Sequence, residues 1–306
     1  MRVTTPLPSG TQHHLHHGDQ EAVIAEVGAS LRLYRVGGRD VVQPYDEDVL
    51  TPAYSGALLA PWPNRLADGR YGFDGAVYQV AVTEVDRMTA LHGLVGHERF
   101  TAVGPRTDES SVTLQHDLVP TGGYPWPLLI TVRFELSNLG LTCTVTALNQ
   151  GSSTAPYGVG VHPWLSTAGA AVDDCALSVG ASRHVSVDNR LLPTGTEAVA
   201  GQLDLRQPRS LAGVVLDDAW VDALRDQDGR TWATLSRPDG STVAMWGDEA
   251  TKAWQVCTGD QVARIGRTAV AVEPMSCVAD AFRTGDDLVR LEPGQQHVLQ
   301  WGLQLR

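Results

Sequence analysis

The chain has 306 residues, of which 42% are hydrophobic, and its 23 basic and 35 acidic residues give a formal net charge of −12. An acidic surface repels phosphate backbones and anionic headgroups, so nucleic acid and membrane surfaces are excluded as main partners. No apolar run approaches the ~20 residues of a membrane helix, and the first 20 residues lack the apolar core of a secretory signal. We expect a cytoplasmic globular protein, a monomer or homodimer.

Short alternations of apolar and polar residues predict strands along most of the chain, and helical periodicity is hard to find. Before residue 150, the pattern predicts strands at 22–27, 31–36 and 111–115 and hairpins at 71–80 and 128–150. After it, the pattern predicts strands at 176–179, 253–258, 269–272 and 296–305 and a hairpin at 231–246. Asp74-Gly75 provides the positive φ angles that the tight turn of the first hairpin requires.

Turn residues, including 31 glycines and 17 prolines, are spread over the whole chain, and no linker, charge block or fixed repeat divides it. Strands with closely spaced turns and no alternating helices predict an all-β protein, a large antiparallel sandwich. We expect a single domain over residues 1–306, with 1–20 as a flexible or edge segment. Sheets of this size can hold a ligand on one concave face.

Metal and cofactor motifs are missing from the sequence. The four cysteines form no Cys-x-x-Cys pair, which predicts reduced thiols. The His13–His17 tract has no carboxylate or cysteine at a spacing that would complete a metal site, so we expect a solvated, mobile segment. The sequence also contains no GxSxG, P-loop, GxGxxG or HExxH motif. We therefore expect neither a metal nor a cofactor.

The segment at 60–66 places an Asn-Arg pair after two prolines and a tryptophan, which predicts a fixed extended path. Arg65 could present a planar fork of donors to sugar hydroxyls or to a carboxylate. A surface loop with a salt-bridged arginine is the alternative interpretation.

Two histidines and two acids are further candidates for chemistry. His92 and His162 lie in Gly-rich or Pro-rich segments, and an imidazole can donate or accept a proton near neutral pH. Glu273 ends an apolar strand before a proline, where partial desolvation would raise its pKa toward that of a useful base. Asp217 and the adjacent Asp218 are bracketed by apolar residues and could hydrogen-bond hydroxyls. The alternatives are hydrogen-bonded structural histidines and solvent-exposed acids.

Taken in order, six segments resemble the aldose 1-epimerase (mutarotase) family, from about residue 20 to the C-terminus. The resemblance rests on Asn64-Arg65-Leu66, Leu91-His92-Gly93, His162 with Trp164, Leu216-Asp217-Asp218-Ala219-Trp220, Gln255 and Val272-Glu273-Pro274. The chain departs from the family pattern at Val161, Pro163 and Asp218. These variants look closer to the bacterial branch that includes sulfoquinovose mutarotases.

The resemblance implies a sandwich of the galactose mutarotase type and a monosaccharide substrate. It makes Glu273 the base that acts on the anomeric hydroxyl and His162 the acid that acts on the ring oxygen. It also implies that the sugar is held by Arg65, His92, Asp217, Gln255, Asn64 and Trp164.

Opening a cyclic hemiacetal needs one acid and one base and no metal or nucleotide. Trp62 and Trp164 could stack on the apolar face of a pyranose. A sugar that carries a phosphate or sulfonate would need a cation, and Arg65, Arg70 and Arg99 are the candidates. A glycoside hydrolase that uses Asp217 and Glu273, and a non-catalytic carbohydrate-binding protein, remain as alternatives.

Overall fold

The structure, a computed structural model, describes residues 6–104 and 109–306. The strands before residue 105 are β1 (Gln12–His17), β2 (Gln20–Ala25), β3 (Ser30–Val36), β4 (Arg39–Asp40), β5 (Leu58–Leu59), β6 (Arg65–Ala67), β7 (Arg70–Phe73), β8 (Ala76–Gln79), β9 (Thr89–Leu91) and β10 (Thr101–Ala102). The strands up to residue 200 are β11 (Ser111–Leu118), β12 (Leu128–Ser137), β13 (Gly140–Asn149), β14 (Ala155–Tyr157), β15 (Gly160–Val161), β16 (Trp164–Ser166), β17 (Ala176–Val179), β18 (Ala181–Val187) and β19 (Pro193–Ala198). The remaining strands are β20 (Arg209–Ser210), β21 (Asp217–Ala223), β22 (Thr231–Ser236), β23 (Thr242–Gly247), β24 (Ala253–Cys257), β25 (Ala269–Met275), β26 (Val289–Leu291) and β27 (Gln296–Leu305).

Helical structure is confined to single turns in the described residues. These are α1 (Ala281–Thr284) and the 3₁₀ turns Pro52–Tyr54, Val85–Arg87, Val172–Asp174 and Gly201–Leu203. Across the same residues, no helix has the length and apolar character needed to cross a bilayer.

Two large sheets dominate the fold. One has nine strands in the order β10-β11-β12-β13-β27-β23-β22-β17-β20. The other has the order β19-β18-β21-β24-β25-β15-β5, and β16 pairs with β25 beside it. The four-stranded sheet β1-β2-β3-β4 and the pairs β14-β26, β6-β9 and β7-β8 complete the set. The prediction of an all-β sandwich is confirmed.

The predicted hairpins are present as antiparallel strand pairs. Residues 128–150 form β12 and β13, residues 71–80 form most of β7 and β8, and residues 231–246 form β22 and β23. At the first tight turn, Asp74 and Gly75 both have positive φ angles, of 47° and 81°. β-branched residues and turn chemistry were therefore sufficient to identify these elements.

The core lies between the two large sheets. Trp254 of β24 is fully buried, and its Nε1 donates a hydrogen bond of 3.1 Å to Thr231 Oγ1 on β22. Trp220 of β21 lies opposite Trp254 in the register and joins the same buried cluster. These contacts fix which face of the second sheet is turned toward the core.

The other face of the second sheet is the one that carries polar groups. Along β25, Val270 and Val272 belong to the main core cluster, whereas Ala271 and Met275 belong to separate clusters on the opposite face. Because side chains alternate along a strand, Glu273 points to this opposite face.

The N-terminal histidine tract is ordered, and the expectation of a mobile segment is wrong. His13–His17 lie within β1, which is the edge strand of the four-stranded sheet and pairs with β2 over six residues. Leu15, in the middle of the tract, is completely buried. Burial of this one side chain and the backbone ladder hold the tract in place.

Candidate active site

A cavity of about 300 Å³ opens over the polar face of β21, β24 and β25. This volume is at the lower end of the range for small-molecule sites. Seven of the residues predicted from the sequence line it: Asn64, Arg65, His92, His162, Trp164, Asp217 and Glu273. Gln255 is not part of the lining and lies behind Asp217, to which it donates a hydrogen bond of 2.8 Å.

The register of three strands places His162 against Glu273. β15 and β16 both pair with β25, through Gly160 opposite Met275 and Trp164 opposite Ala271. His162 lies midway between the two bridges, directly across from Glu273. Its Nε2 is 3.4 Å from Glu273 Oε1. An imidazole and a carboxyl group are thus held side by side at the floor of the cavity.

Burial shifts the protonation of both members of this pair. Glu273 is 2% exposed, and burial raises its pKa well above the usual value, with the Asp217 charge adding to the effect and Arg65 opposing it. Burial lowers the pKa of His162 to about 4. At pH values between these two pKa values, the pair holds one proton. The alternative interpretation of Glu273 as a solvent-exposed residue at the strand end is wrong.

His92 is held as a neutral proton donor. The backbone N–H of Asn64 donates to its Nδ1 at 3.2 Å, and the backbone N–H of His92 donates to Asn64 O at 2.8 Å. Burial lowers the pKa of His92 well below its usual value. Because Nδ1 accepts a hydrogen bond, the proton of the neutral ring resides on Nε2.

Arg65 is held by carboxylates on two sides. Its Nε and Nη2 donate to the two oxygens of Glu84 at 2.8 and 3.1 Å, and Nη2 is 3.7 Å from Asp217 Oδ2. Thr89 Oγ1 donates to Glu84 at 2.7 Å and fixes that carboxylate in turn. The bidentate geometry orients the guanidinium in a single plane.

The predicted extended path through 60–66 is wrong at one position. Asn64 has a φ of 56°, in the left-handed region, and its side-chain oxygen accepts hydrogen bonds from the amide and Nη1 of Arg65. Asn and Asp tolerate this region because their short polar side chains bond to the local backbone. The turn directs Asn64 and Arg65 toward the same cavity.

Asp217 of β21 lies opposite Cys257 of β24, and its carboxylate accepts a hydrogen bond from Gln255, which lies opposite Glu273 of β25. Burial raises the pKa of Asp217, while the Arg65 charge and the Gln255 hydrogen bond lower it. Gln255 therefore orients an acceptor in the cavity wall instead of lining the cavity itself.

Only one of the two tryptophans predicted to stack on a sugar lies at the cavity. Trp164 lines it, packs against His162 with ring centres 5.5 Å apart, and donates from Nε1 to Ala53 O at 3.2 Å. Trp62 instead packs against Phe282 in the core and donates to Ala90 O. The prediction that Trp62 stacks on a sugar is wrong, since its ring is buried against Phe282 and does not line the cavity.

Two of the three arginines predicted to bind a phosphate or sulfonate group lie outside the cavity lining. Arg99 pairs with Glu26 at 2.8 Å, Arg70 is exposed on β7, and neither lines the cavity. Arg87, which the sequence did not single out, does line it. Its Nη1 is 3.2 Å from Glu84, and its buried Nε has no hydrogen-bond partner among the described residues.

Sequence reasoning missed several other lining residues, among them Tyr54, Glu84, Gln261 and Val262. Tyr54 has a φ of 54°, and its ring lies 4.5 Å from His97 and 4.7 Å from His92, centre to centre. Strained backbone of this kind concentrates at functional sites, but the strain leaves no mark in the sequence. Glu84 lies in a charged segment of the kind usually found on protein surfaces, so the sequence did not indicate that it lines the cavity.

Comparison with known proteins identifies the family of the chain. The model of the family described as aldose 1-epimerase matches residues 11–303. The chain is 34% identical over 305 residues to the uncharacterized protein YihR of Escherichia coli, covering 98% of this chain and 94% of that one. It is 31% identical over 165 residues to human galactose mutarotase, covering 52% of this chain and 47% of that protein.

Solved structures share the fold. A putative aldose 1-epimerase from Escherichia coli superposes with a TM-score of 0.83 at 21% identity, over 97% of this chain and 99% of that one. Galactose 1-epimerase from Lactobacillus acidophilus superposes with a TM-score of 0.81 at 18% identity, over 96% and 93%. With the family model spanning nearly the whole chain, the protein belongs to the aldose 1-epimerase family of isomerases.

Proposed function

We propose that the protein interconverts the α and β anomers of a free aldose. The observation that supports this best is the His162–Glu273 pair, 3.4 Å apart and buried at the floor of a cavity of monosaccharide size. Anomer exchange needs one proton taken from the anomeric hydroxyl and one delivered to the ring oxygen. A pair that shares one proton contains both the base and the acid that this exchange needs.

In the proposed mechanism Glu273 acts as the base and His162 as the acid. The neutral pair and the carboxylate–imidazolium pair carry the same number of protons, so transfer across 3.4 Å prepares the reactive form without exchange with solvent. The imidazolium is stabilised by the carboxylate beside it. Glu273 then removes the proton of the O1 hydroxyl while His162 protonates the ring oxygen, and the C1–O5 bond breaks.

The open-chain aldehyde rotates about its C1–C2 bond and closes on the other face, with both proton movements reversed. Arg65, His92 and Asp217 hold the hydroxyls, and Trp164 forms an apolar wall. General acid and base groups contribute about 10²–10⁴-fold each. That is enough for a reaction whose spontaneous rate is already measurable.

Exchange NMR on glucose, galactose and other free aldoses tests the proposal. Wild type should exchange anomers faster than buffer, and Glu273→Gln and His162→Asn should each reduce the rate by about 10²-fold or more. His297→Asn, a substitution on β27 outside the cavity lining, is the matched control and should keep the rate.

Two outcomes would reject the proposal: no sugar exchanging faster than buffer, or both site variants keeping the full rate. Cleavage of an aryl glycoside that does not need His162 would favour a hydrolase based on Asp217 and Glu273. Sugar binding without exchange would favour a non-catalytic carbohydrate-binding protein.

A second candidate function is anomer exchange on a hexose that carries a phosphate or sulfonate group. The observation that favours it is Arg87, whose side chain lines the cavity as a second cation beside Arg65. Charge-assisted bonds from a guanidinium are well suited to such groups. Arg87→Gln should then raise KM for glucose 6-phosphate or its 6-sulfonate analogue and leave KM for glucose unchanged. Equal effects on all three sugars would count against this candidate.

A further inference from the structure

Asp218 follows Asp217 on β21 but makes a different set of contacts. Asp217 lines the cavity, whereas Asp218 reaches His184 on β18, with 2.8 Å between Asp218 Oδ1 and His184 Nε2. Successive side chains of a strand point to opposite faces, so the two carboxylates diverge. Asp218 is thus the neighbour of a sugar-site residue without being part of the cavity.

His184 is a buried residue, 5% exposed, in a fixed orientation. It lies opposite Trp220 in the strand register, and the ring of Trp220 meets it edge-on at 5.4 Å. Its Nδ1 has no hydrogen-bond partner among the described residues, and the closest carboxylate oxygen, Glu197 Oε1, is 3.8 Å away. The bond to Asp218 is therefore the polar contact that orients the ring.

Asp218 connects this histidine to the cavity wall. Its second oxygen, Oδ2, accepts the backbone N–H of Asp217 at 3.1 Å. The Asp217 carboxylate in turn accepts from Gln255 at 2.8 Å and lies 3.7 Å from Arg65. The contacts run without interruption from His184 to the acceptor that faces the sugar.

Asp218 needs such a partner because it is a second carboxylate next to Asp217. A donor from His184 disperses the charge of Asp218 and keeps its carboxylate turned away from the cavity. Without the donor, Asp218 would be free to rotate and release the Asp217 amide.

We propose that His184 is a positioning residue of the sugar site, which acts through Asp218 to fix the Asp217 carboxylate and thereby sets the strength of sugar binding. It takes no part in proton transfer, which the proposed function assigns to His162 and Glu273, and the inference rests on that function. Loss of His184 should therefore raise KM and leave kcat nearly unchanged.

The test compares three variants by exchange NMR over a range of sugar concentrations. His184→Leu removes the donor and should raise KM about tenfold with kcat within twofold of wild type. His184→Gln places an amide N–H near the position of Nε2 and should restore KM to within about threefold. His297→Leu changes a partly buried histidine outside the cavity lining and should leave KM unchanged.

A purely structural role would lower the melting temperature and the active fraction, and so kcat, without a selective rise in KM. If His184→Leu does not fold, Asp218→Asn carries the test, since it weakens the bond to His184 and the bond from the Asp217 amide and should also raise KM selectively. If wild type is active and the folded variant has the KM of wild type, the inference is wrong. An inactive wild type overturns the proposed function instead.

Discussion

His162 lies opposite Glu273 because β15 and β16 both pair with β25 on either side of it. Pro163 lacks an amide hydrogen, but its carbonyl accepts the amide of Val272 at 3.2 Å, so the strand-like course continues through the proline. Sheet register therefore brings the acid–base pair together, with 3.4 Å between His162 Nε2 and Glu273 Oε1.

The first prediction concerns the pH dependence of exchange. Burial lowers the pKa of His162 to about 4 and raises that of Glu273 well above its usual value. Below the first value both groups are protonated and no base remains, whereas above the second no proton remains for the acid. We expect kcat/KM to be flat between them and to fall on the acid side with a midpoint near pH 4. A fall centred near pH 6.5 would contradict this assignment.

The second prediction is that Glu273→Gln stabilises the fold while it removes activity. A carboxyl whose pKa is raised on folding contributes most stability below its unfolded pKa, and that contribution is lost as pH rises toward the folded value. Each unit of difference corresponds to about 1.4 kcal/mol, and 1 kcal/mol changes the melting temperature by about 2–4 °C in domains approaching this size.

Thermal unfolding at pH 4 and at pH 8 measures this difference. The variant should match wild type at the lower pH and melt at least ~2 °C higher at pH 8. Gln255→Glu, which adds a carboxyl opposite Glu273 in the register, should have the reverse effect at pH 8. A variant that is less stable than wild type at both pH values would contradict the expectation.

The hydrophobic period of the chain was enough to predict most long strands, because alternation and turn residues are local signals. Val272-Glu273-Pro274 and Leu91-His92-Gly93 stood out since a polar group interrupts an apolar or Gly-rich run. The partners of these residues were not predictable in the same way. The bonds of Arg65 to Glu84 and of Asp218 to His184 join segments whose proximity depends on register and sheet order.

The interpretation of Trp62 failed for a related reason. Its segment predicts a constrained backbone, but which side of that backbone faces the cavity depends on Asn64 and its positive φ. Asn64 and Arg65 are turned to the site, and the tryptophan is turned to Phe282. Local sequence specifies rigidity, whereas tertiary packing specifies direction.

The third prediction concerns Arg65 and Glu84. Arg65→Lys keeps the charge but cannot reproduce the two parallel bonds to Glu84. Hydrogen bonds to charged groups contribute about 1.5–3 kcal/mol each, so KM should rise roughly ten- to hundredfold. Arg70→Lys, on the exposed side of β7, is the matched control and should bind sugar like wild type. Titration of each variant with sugar, followed by NMR, gives the comparison.

The fourth prediction separates the two tryptophans. Trp164→Phe replaces the indole that packs on His162 with a smaller ring and removes the hydrogen bond from Nε1 to Ala53 O. Aromatic pairs contribute about 0.5–1.5 kcal/mol, so kcat/KM should fall about two- to tenfold. Trp62→Phe removes a core contact and the bond to Ala90; it should lower the unfolding free energy by about 1–3 kcal/mol and leave kcat/KM within twofold. Exchange NMR and chemical denaturation of both variants make the comparison. If Trp62→Phe were to lower kcat/KM more than Trp164→Phe, the indole of Trp62 would be influencing the sugar despite its burial, and the assignment of the cavity wall to Trp164 would be wrong.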